Sequence, residues 1–420
     1  MGRFSVKRGS LRCVFACCLA VALATARSDA ELVLQKVPSL TVADAPRYPQ
    51  NLAQLDLGAR LMAEPNANLS AALLAADPIS VSPLEKGVTT LLISLPQIEN
   101  VDTVSFSNEG SDGSVAIATA SANLSPGSPQ WHNGERRAIS NGLMSFRVGP
   151  TEAKYIRLVF YVRNAGRIGN FGVYSAAPVS DFTAPRSRKI PSQDSAGRVP
   201  NINLADLHGQ ARVIFVSSGS DVRLANNMLD HQAGSNYVFA ANDTVPAAII
   251  DLGRGVPINR ISSLSTSRVA SIFYVFDALS ADTFASWPQI FHVDPQRLPG
   301  VRTVGRAADD GTGRIAANFQ ETTARYVMVA WTPSAQVSNF SVAEVAVLGP
   351  LTNSTVLALN RVSERSDDKI VRDSKDAKDF SKEIPAEGPA EAQPPAEGPP
   401  PPLPRTPPFV FIPRVVPTSP

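Results

Sequence analysis

The residue types that carry most enzyme chemistry are sparse in this chain, and their spacing does not suit catalysis. The four histidines (His132, His208, His231 and His292) form no HExxH or HxH pattern, so a histidine-built metal centre is not expected. The chain has no G-x-S-x-G elbow and no P-loop. Asp309-Asp-Gly-Thr-Gly313 holds the letters of an aspartic-protease motif in the wrong order, and its composition predicts a turn between strands. All three cysteines (Cys13, Cys17 and Cys18) fall in the first 18 residues. A chain that loses this segment has no disulfide, thiolate metal site or cysteine nucleophile. The chemistry left is recognition, and the chain is not expected to be an enzyme.

Sugar recognition needs an aromatic face for the ring and fixed polar groups for the hydroxyls. The candidates on loop-like segments are Tyr237 and Phe239 in Ser235-Asn-Tyr-Val-Phe239, and Trp287 and His292 in Trp287-Pro-Gln-Ile-Phe-His292. Trp131 and His132 form a similar pair. Trp131 and Trp287 follow Leu124-Ser125 and Leu279-Ser280 at similar places, and a repeated position suits a structural tryptophan as well as a ligand contact. Arg302 and Arg306 could hold acidic groups, although strand alternation places them equally well on a solvated face. Nucleic acid is not an expected partner, because no basic stripe interleaved with aromatics exists. The short cluster Arg186-Ser-Arg-Lys189 reads as a flexible, protease-accessible hinge.

The elements that must position these residues are strands. Val88-Thr-Thr-Leu-Leu-Ile-Ser-Leu95, Tyr155-Ile-Arg-Leu-Val-Phe-Tyr-Val162, Ile272-Phe-Tyr-Val-Phe276 and Arg325-Tyr-Val-Met-Val-Ala-Trp331 are short, β-branched and aromatic, and turn residues bound them. Long helical periodicity is absent, so the class is all-β. In the 325–331 run, Tyr326, Met328 and Ala330 point one way and Val327, Val329 and Trp331 the other. Both faces are apolar, as in a sandwich strand covered on both sides.

The ends differ from the middle. Basic residues Arg3, Lys7, Arg8 and Arg12 precede a 14-residue apolar run, 13–26. That is too short to span a bilayer and reads as a signal peptide over 1–30. The chain is therefore expected to be secreted, periplasmic or at the cell surface, with no transmembrane segment in its mature form. The whole sequence carries 39 basic and 37 acidic side chains; without 1–30 the balance is 34 against 36. The apparent basicity belongs to the export signal. At the other end, 361–383 holds 14 charged residues in 23, and 384–420 contains 14 prolines. Such a tail favours polyproline II, builds no core and is read as disordered. Its Phe409-Val-Phe-Ile412 patch could dock a protein partner.

Between the ends lies an internal repeat. Asn51-Leu-Ala-Gln-Leu-Asp-Leu-Gly-Ala-Arg-Leu61 matches Asn203-Leu-Ala-Asp-Leu-His-Gly-Gln-Ala-Arg-Val213 without a gap. Ile93-Ser-Leu95 matches Ile250-Asp-Leu252, Lys154-Tyr-Ile-Arg-Leu158 matches Arg325-Tyr-Val-Met-Val329, and Asn170-Phe-Gly-Val173 matches Asn339-Phe-Ser-Val342. The expectation is two tandem β-sandwiches, 47–178 and 199–350, joined by a 179–198 linker.

The order of these pieces resembles the discoidin, or coagulation factor 5/8 type C, domain, and more broadly the galactose-binding-like jelly roll. The resemblance is carried by Asn203-Leu-Ala, Ile250-Asp-Leu-Gly253, Thr323-Ala-Arg-Tyr-Val327 and the Glu344-containing last strand. It covers most of the second repeat and is weaker in the first, which has Ser94 in place of Asp251. The resemblance implies a non-catalytic protein that binds carbohydrate or another surface ligand through loops of the second sandwich. It also implies a structural calcium ion, held here by Asn227, Asp230, Ser235 and Glu344, although His231-Gln232 stands where that loop has Gly and Asn. Without an ion, Asp230 would cap a turn and Glu344 would face solvent. Two other readings fit the same pieces: an assembly protein of the cell envelope with a docking tail, and an accessory module for a hydrolase on another chain. The cysteine-free mature chain points to a bacterial source.

Overall fold

The β-branched runs become long antiparallel strands that bend from one layer of a sandwich into the other. The structure is a computed structural model describing residues 31–63, 73–175, 186–191, 199–279, 286–309, 311–334, 339–353 and 356. The expected signal peptide, the charged segment and the proline-rich tail lie outside the described residues. No helix among the described residues is long and apolar enough to cross a membrane.

Two sheets account for the described chain. One has eight strands: β2 (Arg60–Ala63), β3 (Val81–Leu84), β4 (Gly87–Glu109), β5 (Asp112–Ala120), β6 (His132–Asn133), β7 (Arg137–Ile139), β8 (Gly142–Asn164) and β9 (Gly166–Ser175). We call it the first half. The second half has ten: β1 (Leu32–Lys36), β10 (Asn201–Asn203), β11 (Arg212–Val216), β12 (Tyr237–Val238), β13 (Ala247–Ser265), β14 (Val269–Phe276), β15 (Ile290–Val293), β16 (Arg302–Ala308), β17 (Arg314–Pro333) and β18 (Ser341–Pro350). In each half one long strand serves both layers. β4 loses register with β8 between Ser94 and Glu99, and β13 loses register with β17 between Asp251 and Val256. Such breaks are the corners at which a strand changes layer.

The cores follow the alternation. Leu91, Ile93, Leu95, Val104, Phe106, Ile156, Leu158 and Phe160 fill the first half, with Phe106 and Phe160 edge to face at 5.4 Å. In β17, Val327, Val329 and Trp331 enter the inner core while Tyr326, Met328 and Ala330 enter a second cluster on the outer face. Both faces of that strand are therefore covered, as its sequence predicts.

The registers of the two halves run in parallel. Arg60 pairs with Ser94 and Ile93 with Ile156; Arg212 pairs with Asp251 and Ile250 with Val327. The Asn51 and Asn203 side chains each accept from a last-strand amide, Val173 N–H and Val347 N–H, both at 3.0 Å. The position equivalent to Val173 is thus Val347. The sequence match of 170–173 with 339–342 is out of register by one short run of strand.

One assignment along the chain changes. Residues before the first half pack on the second. β1 pairs with β11 and β15, Leu32 and Leu34 lie in the outer cluster, and Val37, Ala45 and Tyr48 lie in the inner core. A boundary near 47 cuts off part of the second half's own core.

Candidate functional site

The two halves meet through polar side chains that the sequence places far apart. The repeated Asn-Leu-Ala segments each end in a short 3-10 turn, Leu55–Leu57 and Leu207–Gly209, closed by left-handed residues Gly58 (φ +97°) and Gln210 (φ +74°). Arg188 lies between these turns, 4% exposed. It donates to Asp56 of one half and Asp206 of the other. Gly209 makes room for it, since a Cβ there would stand 2.5 Å from a guanidinium nitrogen. Arg186 pairs with Glu99, and the Lys189 N–H donates to the Asp56 carbonyl at 2.6 Å. The 186–189 cluster is therefore a clamp between the halves, where the sequence suggests an open hinge.

The charges explain one another. Burial would raise Asp206, but Arg188 and then the His231 ring outweigh it and hold the carboxyl far below its usual range. Asp56 is raised, because its burial exceeds what Arg188 returns. Two carboxylates thus share one guanidinium unequally. Burial also pushes His208 down to about 4. Its Nε2 lies 3.0 Å from the Tyr48 carbonyl oxygen, a contact that requires a proton on Nε2 as the donor.

Further ties run between loops. The Ser262 hydroxyl donates to Asp77 at 2.7 Å, and Arg260 stands 3.2 Å from the same carboxylate. Tyr174 donates to the His231 carbonyl at 2.8 Å. His231 has φ +60°, a left-handed conformation that turns the chain sharply into Gln232.

Beside these ties a cleft of about 330 Å³ opens between the halves. The first half supplies Asp102, Thr103 and Ser105 from β4, Leu143 and Ser145 from β8, and Tyr174 and Ser175 from β9. Gln232 to Ser235 form the opposite wall, and Ala45, Pro46 and Pro49 add an apolar edge. Asp230 braces that wall from behind: it accepts from the Gln232 N–H at 2.9 Å and the Ser235 hydroxyl at 2.6 Å. Burial, only partly offset by these donors, pushes Asp230 up to about 7.

The predicted sugar-binding residues lie elsewhere and none lines this cleft; of the predicted calcium ligands Ser235 does. Tyr237 and Phe239 are core residues, each 1% exposed, packed edge to face at 4.9 Å. The Tyr237 hydroxyl donates to the Ser218 carbonyl. Trp287, 8% exposed, stacks on Phe215 at 5.6 Å. These rings present no face on which a sugar could stack. Trp131 is buried against Ala118 and Ala120 with Arg157 over its ring, so both repeated tryptophans are structural. His292 is exposed at the sheet edge near Glu31. Arg302, on β16, donates to the Thr323 carbonyl at 2.7 Å. Asp309 accepts from the Thr312 and Gly313 amides, which makes its segment the turn its composition predicts.

The predicted calcium ligands converge in part. Asp230 and Ser235 are hydrogen-bonded. Glu344 is 3% exposed, and its two oxygens lack a hydrogen-bond partner. It does not face solvent but lines a cavity of about 20 Å³ with His231, Asn51, Asp77 and Asn170. Burial, reinforced by Asp230, raises it well above the ordinary carboxylate range; the His231 N–H, outside hydrogen-bond geometry, offsets this slightly. Asn227 turns instead to the Asn236 carbonyl at 3.2 Å. Of the four predicted ligands, Asp230, Ser235 and Glu344 thus supply side-chain oxygens in this region, and Ca²⁺, which takes six to eight oxygens, would need backbone carbonyls or waters for the rest.

No protein-family profile matches the sequence, and no curated protein sequence matches it. Solved structures match in part. A Ruminococcus gnavus GH29 fucosidase is 17% identical over 36% of this chain and 27% of its own, with a TM-score of 0.28. This chain thus spans about a quarter of that enzyme's length. Chitosan-binding module 1 from a Paenibacillus chitosanase/glucanase is 18% identical over 35% of this chain and 98% of its own, with a TM-score of 0.28. Allantoicase from Saccharomyces cerevisiae is 13% identical over 75% of this chain and 99% of its own, with a TM-score of 0.25. Similarity at this level assigns neither a family nor a function.

Proposed function

We propose that this is an exported, non-catalytic binding protein that takes a saccharide in the cleft between its two halves. The observation that carries this reading is the lining. Thr103, Ser105, Ser145, Tyr174, Ser175, Gln232 and Ser235 line the cleft beside the apolar Pro46, Pro49 and Leu143, and several of their hydroxyls are fixed by hydrogen bonds within the protein, Thr103 to Asp102, Tyr174 to the His231 carbonyl and Ser235 to Asp230. Many fixed polar groups around an apolar surface suit a polyhydroxylated ligand. Catalysis fits the cleft less well: its lining holds one carboxylate, Asp102, and no histidine, lysine or cysteine, which leaves few groups for general acid–base or nucleophilic chemistry.

The parallel registers support a duplicated discoidin-like sandwich, with the second copy completed by residues 32–48. The basic and apolar pattern of 1–26 supports export. The test is retention of the full chain on a panel of immobilised polysaccharides in affinity electrophoresis. Retention on at least one neutral or amino polysaccharide is expected. No retention on any, by a folded protein, overturns the reading.

A further inference from the structure

The charge of the cleft narrows the ligand class, and this step rests on the saccharide reading above. Asp102 is the charged residue of the lining, which contains no lysine or arginine. Its carboxylate is held in place by the Thr103 hydroxyl at 2.9 Å. Arg147 stands 3.3 Å away, but its side chain is 79% exposed, against 21% for Asp102. The pair is open to water, and with Thr103 and Arg147 as its donors the carboxylate keeps lone pairs for a further one. The opposite wall, Gln232 to Ser235, adds no cation.

We infer that the ligand carries a primary ammonium, as an amino-sugar unit of a polysaccharide does, and that Asp102 receives it. An ammonium offers three donors to a carboxylate that still has acceptor capacity. A uronate or sulfated sugar would instead bring a second negative charge beside Asp102, where the one basic side chain at hand, Arg147, is already paired with that carboxylate. The size agrees, since about 330 Å³ lies at the small end of ligand pockets and suits one or two sugar rings.

The experiment is calorimetric titration of the full chain with glucosamine oligomers, their N-acetylated counterparts and uronate oligomers of equal length. Acetylation removes the charge and keeps the ring. The expected result is roughly 3–10-fold tighter binding of the glucosamine oligomers than of the acetylated ones, with no measurable binding of uronates. D102N should narrow that preference to less than about twofold. Equal affinity for free and acetylated oligomers, or a preference for uronates, overturns the ammonium assignment and leaves the saccharide reading standing. Failure to bind any of the three also overturns the ammonium assignment, while the saccharide reading stands or falls on the polysaccharide panel above.

Discussion

The Tyr174 hydroxyl donates to the His231 carbonyl at 2.8 Å, and this bond joins the last strand of the first half to the loop that walls the cleft in the second. Tyr174 is buried, so the hydroxyl's alternative partner is not water. Y174F should cost about 1 kcal/mol in urea unfolding, with an unchanged m-value and unchanged far-UV dichroism. A loss below about 0.3 kcal/mol would mean that the bond does not hold the loop.

Arg188 has the larger effect. Removing it strands two buried carboxylates, so R188A should cost about 3–5 kcal/mol. The same change made together with D56N and D206N should restore much of that loss, because no charge is then left unpaired. Equal destabilisation by the single and triple variants would contradict the clamp.

β1 makes the second half depend on the start of the chain. Leu34 is fully buried in the outer cluster that also holds Phe215 and Trp287. L34A should cost about 2–5 kcal/mol. A chain beginning at residue 47 should expose the outer cluster, read as a red shift of tryptophan emission. Native-like emission and stability in both variants would remove β1 from the core.

Two buried groups give opposite pH limbs. Asp230 titrates at about 7 in the fold and near 3.8 when unfolded. Folding therefore takes up a proton between those values, and its contribution falls as pH rises from about 4 to about 7. His208 titrates at about 4 rather than 6.5. Its contribution is complete above about pH 6.5 and is lost as pH falls towards 4. D230N should raise the melting temperature at pH 8 by about 4 °C or more and leave it nearly unchanged at pH 4. A uniform shift at both pH values would contradict the assignment to Asp230.

The strands were readable because their pattern is local. The 325–331 alternation reappears as two covered faces of β17, and Asn51 and Asn203 occupy equivalent positions in the two registers. The last repeat match failed because Asn-Phe-x-Val is short, while the true equivalence of Val173 and Val347 shows only in what each amide bonds. Tyr237 and Phe239 stand in a loop-like stretch of sequence, yet their spacing of two is a core signal. Arg188 carries no local signal, because its partner Asp56 is 132 residues away. The cleft is likewise assembled from segments near 45, 102, 145, 175 and 233, each of which reads as an ordinary strand end or turn.

The central claim is that the cleft between the halves binds the ligand. It is tested most directly by S145W, which places an indole in the cleft from an exposed position on β8. Affinity electrophoresis should show retention of the native protein on its polysaccharide and at least a tenfold loss, about 1.4 kcal/mol, for S145W, with an unchanged melting temperature. Undiminished retention of a folded S145W chain would place the binding surface elsewhere and contradict the account.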